Sequence, residues 1–274
     1  MAEVQLGPYH LAIAEDFGPR IISVRRGRGP EALATLGPET AIEYPGGVFR
    51  FRGGHRLWAA PETPAITYAS DEHRCSVAFD GAGVRVTAPA DDAGLVKELR
   101  VRDDGGSLVV EHVITGEVTG NMIAAWGITQ LPLGGVAILP LTGGETGPRA
   151  NRQLVMWPYT TLADGRLQHG DSTIRIEARD EEPLKLGIGP TVGRLGYLKD
   201  GQLFIKELAD SSPGPVPDFG AGGQVYIGQG FCELETVGGL VDLRHGAATS
   251  TERWTLLSCG DTSEAERLIL EGTH

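Results

Sequence analysis

Cysteine is scarce. Cys75, Cys232 and Cys259 are the only three, and their odd number and wide spacing indicate neither a disulfide framework nor a CxxC-type metal site. Basic residues are outnumbered, 24 against 36 acidic, and the formal net charge of -12 argues against nucleic acid or an anionic membrane surface as a partner. No apolar run reaches the length of a membrane-spanning helix, and the opening MAEVQLGPYHLAIAEDFG carries neither a basic leader nor the apolar stretch of a signal peptide. A cytoplasmic location is therefore expected. Long helical patterns are missing as well, because 40 glycines and 17 prolines punctuate the 274 residues too often. The GxSxG elbow, the GxxxxGK[ST] loop and the HExxH pair are absent too, which leaves hydrolase-elbow, P-loop and zincin chemistry without support.

What is present is a long series of short strand signals. Residues 4–14, 20–25 and 41–44 are apolar or alternating runs separated by Gly18-Pro19, Gly27-Arg-Gly-Pro30 and Pro45-Gly-Gly47. The runs 75–79, 84–88, 96–101 and 108–115 follow at intervals of about ten residues, the spacing of sandwich and barrel proteins. Residues 123–131, 136–141, 173–178, 195–198, 203–207 and 225–227 extend the series. One helical turn is expected at 30–36, a helix at 263–270 capped by Thr262 or Ser263, and an extended loop at 210–218. So many strands exceed what one open sheet accommodates, so two packed sheets in a single domain over 1–274 are expected.

Chemistry concentrates in a few stretches. Residues 231–237, Phe-Cys-Glu-Leu-Glu-Thr-Val, read as a strand in which Glu233 and Glu235 share one face, roughly 7 Å apart along the backbone. On a cleft wall, repulsion and desolvation would raise the pKa of at least one carboxyl and make it a usable base. On an open sheet the same pattern is simply a solvated face. Gly53-Gly-His-Arg-Leu-Trp-Ala-Ala-Pro-Glu62 places His55, Arg56, Trp58 and Glu62 within ten residues, a mixture suited to a sugar's apolar C–H faces and hydroxyls. Trp157, Tyr159, Asp164 and Arg166 interleave rings and charges in the same way, and Trp126 stands beside Thr129. Any one of these tryptophans is more commonly core, yet three such segments favour a shared pocket. His112, between Val110 and Ile114 in an apolar strand, reads as a core histidine, and no spacing asks for a metal.

Taken together, Gly53-Gly-His-Arg-Leu-Trp-Ala-Ala-Pro-Glu62, Trp126-Gly-Ile-Thr129, Trp157-Pro-Tyr-Thr160 and Phe231-Cys-Glu-Leu-Glu-Thr-Val-Gly-Gly239 resemble the galactose-mutarotase-like (aldose 1-epimerase-like) superfamily, over about residues 10–257. The resemblance implies an all-β supersandwich of two large, mainly antiparallel sheets with a carbohydrate or a similar polyhydroxylated molecule in a concave face. It also implies a base, Glu235, that removes the anomeric proton, and a histidine that protonates the ring oxygen. Here the chain departs from the pattern. Ala125-Trp-Gly-Ile-Thr129 stands where those enzymes carry an Asn-His pair, and the acid role then falls to His55. Arg56, Trp58, Glu62, Trp126, Trp157, Tyr159, Arg166 and Glu233 are the expected pocket residues. The expected activity is interconversion of sugar anomers without metal or cofactor, on a small-molecule substrate, and a homodimer is left open. Two alternatives remain: a carbohydrate-binding module without catalysis, or the same cleft turned to isomerisation, elimination or cyclisation of another small molecule.

Overall fold

The computed structural model describes residues 1–116, 122–141, 146–189 and 193–272. Among these residues, β1 to β21 in chain order account for most of the regular structure. One sheet has nine strands in the spatial order β1 (Ala2–Leu6), β2 (Tyr9–Ile13), β3 (Arg20–Arg26), β6 (His55–Ala60), β11 (Ala124–Pro132), β20 (Phe231–Val237), β19 (Gly223–Gly228), β16 (Leu184–Ile188) and β13 (Leu154–Met156). The other has ten, in the order β14 (Leu167–His169), β15 (Thr173–Glu177), β12 (Val136–Pro140), β17 (Arg194–Lys199), β18 (Gln202–Ser211), β21 (Ala248–Ser258), β10 (Leu108–Gly116), β9 (Leu95–Asp103), β8 (Gly83–Thr87) and β7 (Ser76–Phe79). A separate hairpin joins β4 (Ala41–Tyr44) to β5 (Gly47–Arg50). Both large sheets are antiparallel, as the resemblance led one to expect.

Period-two alternation decides which side chains meet. Leu11, Ile13, Leu57, Ala125, Leu131, Leu186, Val225, Ile227, Cys232 and Leu234 of the first sheet pack on Val86, Leu99, Val101, Val110, Phe204, Trp254 and Leu256 of the second, forming one dry core between the sheets. The intervening residues of β6, β11 and β20 turn to the outer face. There Trp58, Trp126, Ile128, Phe231 and Val237 join Phe49 and Phe51 of the hairpin region and Tyr68 in a second cluster. Its rings meet mostly edge-on, with centroids 5.0 Å apart for Phe49 and Trp58 and 5.5 Å for Trp58 and Trp126. Arg20, fully buried, donates to the carbonyls of Phe51 and Gly53 and pairs with Asp71, fastening the segment between the hairpin and β6.

Three local expectations are corrected. Residues 30–36 form no helical turn; Thr35 instead bridges to Gly53. The C-terminal helix spans Thr262–Glu271, and Asp261, not Thr262 or Ser263, caps it by accepting from the Glu264 amide. The stretch 210–218 is not all loop, because β18 continues through Ser211. One further helix, α1 (Pro64–Thr67), is a single turn with proline at its start, and residues 217–220 form a tight turn in which Asp218 and Phe219 take left-handed dihedrals.

Gly54, at φ +76° just before β6, lies so close to β3 that a Cβ would sit 2.3 Å from the Ile21 carbonyl oxygen. Gly54→Ala is expected to destabilise the protein by more than about 1 kcal/mol, read as a lowered midpoint in urea denaturation.

Candidate functional site

The centre of the nine-stranded sheet, β6–β11–β20, aligns Ile128 with Arg56 on one side and with Glu235 on the other. Directly opposed residues share a face, so Arg56 and Glu235 stand on the outer face together with Trp58, Trp126, Gln130 and Glu233. Glu235 is fully buried. Its Oε2 accepts from the Trp126 indole N–H at 2.8 Å and from the Lys185 ammonium at 2.8 Å, while its Oε1 has no hydrogen-bond partner among the described residues. Burial raises its carboxyl above the ordinary 4.5, Lys185 opposes that rise, and the neighbouring Glu233 adds to it.

Lys185 comes from β16 and lies between two rings, its Nζ 4.8 Å from the Trp126 centroid and 4.7 Å from that of Trp157. Thr160 holds this arrangement by exchanging hydrogen bonds with the backbone of Lys185, which keeps the Trp157-Pro-Tyr-Thr160 segment over β16. Gly187 makes room for it, since a Cβ there would lie 3.3 Å from the Trp157 ring. Beside this group, Arg56 donates to Glu233 at 2.9 Å and lies 4.1 Å above the Trp58 ring, and Gln130 donates to the same Glu233 oxygen at 3.0 Å.

The face holds an unusual concentration of idle polar atoms. Of ten buried side-chain nitrogens and oxygens without a partner among the described residues, six belong to Arg56 (Nε and Nη1), Trp58 (Nε1), Gln130, Gln224 and Glu235. Buried polar groups are normally paired, so these donors and acceptors give one surface spare hydrogen-bonding capacity.

Several expected residues gather here: Arg56, Trp58, Trp126, Trp157, Glu233 and Glu235. Tyr159, half exposed, is near enough for Glu235 to reinforce the rise that partial burial imposes on its phenol. Glu62 lies at the rim, hydrogen-bonded by Tyr68. Two expectations are corrected. His55 alternates with Arg56 along β6 and therefore points the other way, into the core, where it is fully buried; it does not meet Glu235. Arg166 is a loop brace, donating to Asp164 and to the carbonyls of Arg179 and Glu182. Lys185, Gln130, Gln224 and Tyr226 belong to the face and went unnoticed in the sequence; a lysine alternating with leucines, Leu184-Lys-Leu186, was the available signal.

No family model matches the chain, and no curated protein matches it. Solved structures do. A galactose mutarotase-like protein from Lactobacillus casei ATCC 334 superposes with a TM-score of 0.56 at 10% identity, over 94% of this chain and 100% of the other. A candidate aldose 1-epimerase from Escherichia coli K12 gives 0.55 at 12% identity, over 93% and 98%. A galactose mutarotase related enzyme from Lactobacillus acidophilus gives 0.51 at 11% identity, over 95% and 98%. The fold is galactose-mutarotase-like. No helix among the described residues is long and apolar enough to cross a membrane.

In this galactose-mutarotase-like sandwich the residues behind the site form a second polar group, sealed between the sheets. Lys206 of β18 donates to the Gly127 and Leu234 carbonyls at 2.9 Å each and to Thr129 Oγ1 at 3.0 Å, and pairs with Glu252 at 3.1 Å. Beyond it, Thr129 Oγ1 meets His55 Nδ1 at 2.9 Å, His55 Nε2 meets His112 Nε2 at 2.8 Å, and His112 Nδ1 lies 3.2 Å from both the carbonyl and the hydroxyl of Ser250. One proton on each ring, passed in a single direction along the chain, satisfies every one of these contacts. Both imidazoles are neutral in this chain. Consistently, burial first and the charge of Lys206 second hold His55 well below 6.5, and burial likewise lowers His112. Burial alone would raise Glu252, but the charge of Lys206 above all, with donation from Thr236 and Trp254, outweighs it and keeps the carboxyl low. His55, His112 and Glu252 bring ligand-type atoms within 4.8 Å of one another. The positive charge in that space is supplied by the Lys206 ammonium.

Two outcomes are expected. Lys206→Met leaves Glu252 a buried charge without its partner and should cost about 3–5 kcal/mol, measured by denaturant unfolding. Because both histidines titrate at lower pH folded than unfolded, the unfolded chain binds more protons as pH falls below about 6.5, so the unfolding midpoint should drop between pH 7.5 and 5.5.

Proposed function

We propose that the outer face around Glu235 binds a neutral polyhydroxylated molecule, a sugar in its ring form, and that Glu235 accepts the anomeric proton in an interconversion of the aldose 1-epimerase type. One observation carries this reading: a fully buried carboxylate with one oxygen held by two donors and the other free, among unpaired donors and acceptors. Each sugar hydroxyl both donates and accepts, so it can satisfy Arg56 and Trp58 as donors and Gln130, Gln224 and Glu235 as acceptors. A phosphate or carboxylate would use only the donors and would lie against two carboxylates. Trp157, only partly buried, supplies ring surface for a C–H face of a pyranose. The likeness to galactose mutarotase-like structures supports the same choice of ligand.

The reaction moves only protons and one ring bond. Glu235 must be ionised to act, and burial raises the pH at which it loses that charge. The turnover rate should therefore fall on the acid side beginning above the ordinary carboxylate range near 4.5.

Polarimetry on freshly dissolved glucose and galactose tests the proposal. Glu235→Gln keeps the shape of the side chain and should lower the rate about 100- to 10,000-fold while a thermal shift with the same sugars persists. A wild-type protein that binds these sugars without accelerating their interconversion would make it a binding module, and an E235Q rate equal to wild type would remove Glu235 from the chemistry.

A further inference from the structure

We infer that Lys185 is the acid of this site, delivering its ammonium proton to the ring oxygen while Glu235 Oε1 takes the proton of the anomeric hydroxyl. The inference rests on the reading of Glu235 as the base and assigns the partner that reading lacks.

Acid chemistry at a sugar ring needs a transferable proton on the same side of the sheet as the base. His55 is excluded by the alternation of β6, which turns it into the core, and His112 lies deeper still, beside Ser250. Arg56 stands on the correct face, but a guanidinium does not give up its proton in a protein. Tyr226 and Tyr159 are near, yet burial and the carboxylates Glu233 and Glu235 push both phenols up, which makes them poorer donors. Lys185 remains. Its ammonium has three N–H bonds, of which one reaches Glu235 Oε2 at 2.8 Å.

Geometry favours a shared act. In a hemiacetal the hydroxyl oxygen and the ring oxygen are bonded to the same carbon, so two groups that already touch each other can each reach one of them. With the hydroxyl on the free Oε1, the ring oxygen falls towards the side where Lys185 holds Oε2. As O1 gives its proton to Glu235, the C1–O1 bond becomes a carbonyl, the C1–O5 bond breaks with its electron pair going to O5, and O5 takes a proton from Lys185. The products are an open-chain aldehyde, a protonated Glu235 and a neutral Lys185 amine. Rotation about C1–C2 and the reverse transfers close the ring to the other anomer and restore both groups.

Charge accounting supports the pair. Glu235 and Lys185 are nearly or fully removed from solvent, with side-chain exposures of 0% and 6%. The charged couple before transfer and the neutral couple after it both sum to zero, so the pocket never acquires a net charge, whose burial would be costly. Trp126 and Trp157 flank the ammonium and restrict where it can point.

The test compares wild type, Lys185→Arg and Lys185→Met by polarimetry and by binding calorimetry with glucose and galactose. Arginine preserves the cation beside Glu235 and between the rings but cannot donate its proton. K185R should therefore bind within about threefold of wild type and turn over at least about 100-fold more slowly. If the lysine serves only to hold Glu235 in place, arginine will restore turnover, and that result overturns the role. Wild-type binding without turnover overturns the catalytic reading of the site and this role with it.

A second measurement needs no variant. An aldehyde beside a neutral amine condenses to an imine with loss of water, and added cyanoborohydride supplies the hydride that fixes it as a secondary amine. Peptide mapping of wild type treated with glucose or galactose and cyanoborohydride should find the adduct on Lys185 in preference to the more exposed Lys199. An adduct on Lys199 with Lys185 unmodified counts against the assignment.

Discussion

The contact between Lys206 and the backs of β11 and β20 ties the two sheets together where the site is built. Lysine is seldom fully buried, because stripping an ammonium of water is costly unless oxygens replace it. Here two carbonyls, a hydroxyl and a carboxylate do so, and three of the four belong to the opposite sheet from the lysine. Glu252 is bound in turn by Thr236 of β20 and by Trp254 of its own strand. The strands that carry Trp126 and Glu235 on their outer side are thus held on their inner side by charge-assisted bonds, and that support fixes the outer side chains without touching them.

Much of the face was legible from strand periodicity. The sharing of one surface by Glu233 and Glu235 follows from alternation alone, and Trp126 and Trp157 were traceable as rings beside polar groups. What misled was His55. The same alternation that unites Glu233 with Glu235 divides His55 from Arg56, and closeness in sequence within residues 53–62 concealed that division. Lys185 was invisible for another reason. Its importance depends on β16 pairing with β19 and β19 with β20, a lateral order that links residues 50 positions apart. Arg166 matched the composition of a sugar site and is occupied by its own loop, a distinction that only partners can make.

The two polar groups on either side of the sheet also differ in kind. Inside, every member of the Lys206–Thr129–His55–His112 chain has a donor or an acceptor waiting for it, so the network is closed and stabilising. Outside, Arg56, Trp58, Gln130, Gln224 and Glu235 keep capacity unspent. Their rigidity comes from aromatic packing and from the fastened strands, which lets unpaired atoms persist in a fixed arrangement.

Gly127 shows how closely these layers are joined. A Cβ on it would lie 2.2 Å from a Glu252 oxygen and 3.0 Å from His112 Nε2, so the carboxylate and the imidazole come up against bare main chain. Trp126, its immediate neighbour, holds Glu235 from the opposite surface. A one-residue slip of β11 would therefore drive an indole into the space reserved for an ion pair and leave hydrogen where a ring should be. The tryptophan–glycine step acts as a registration key: it admits a single alignment of the strand, and the Glu235 carboxylate inherits its position from that choice.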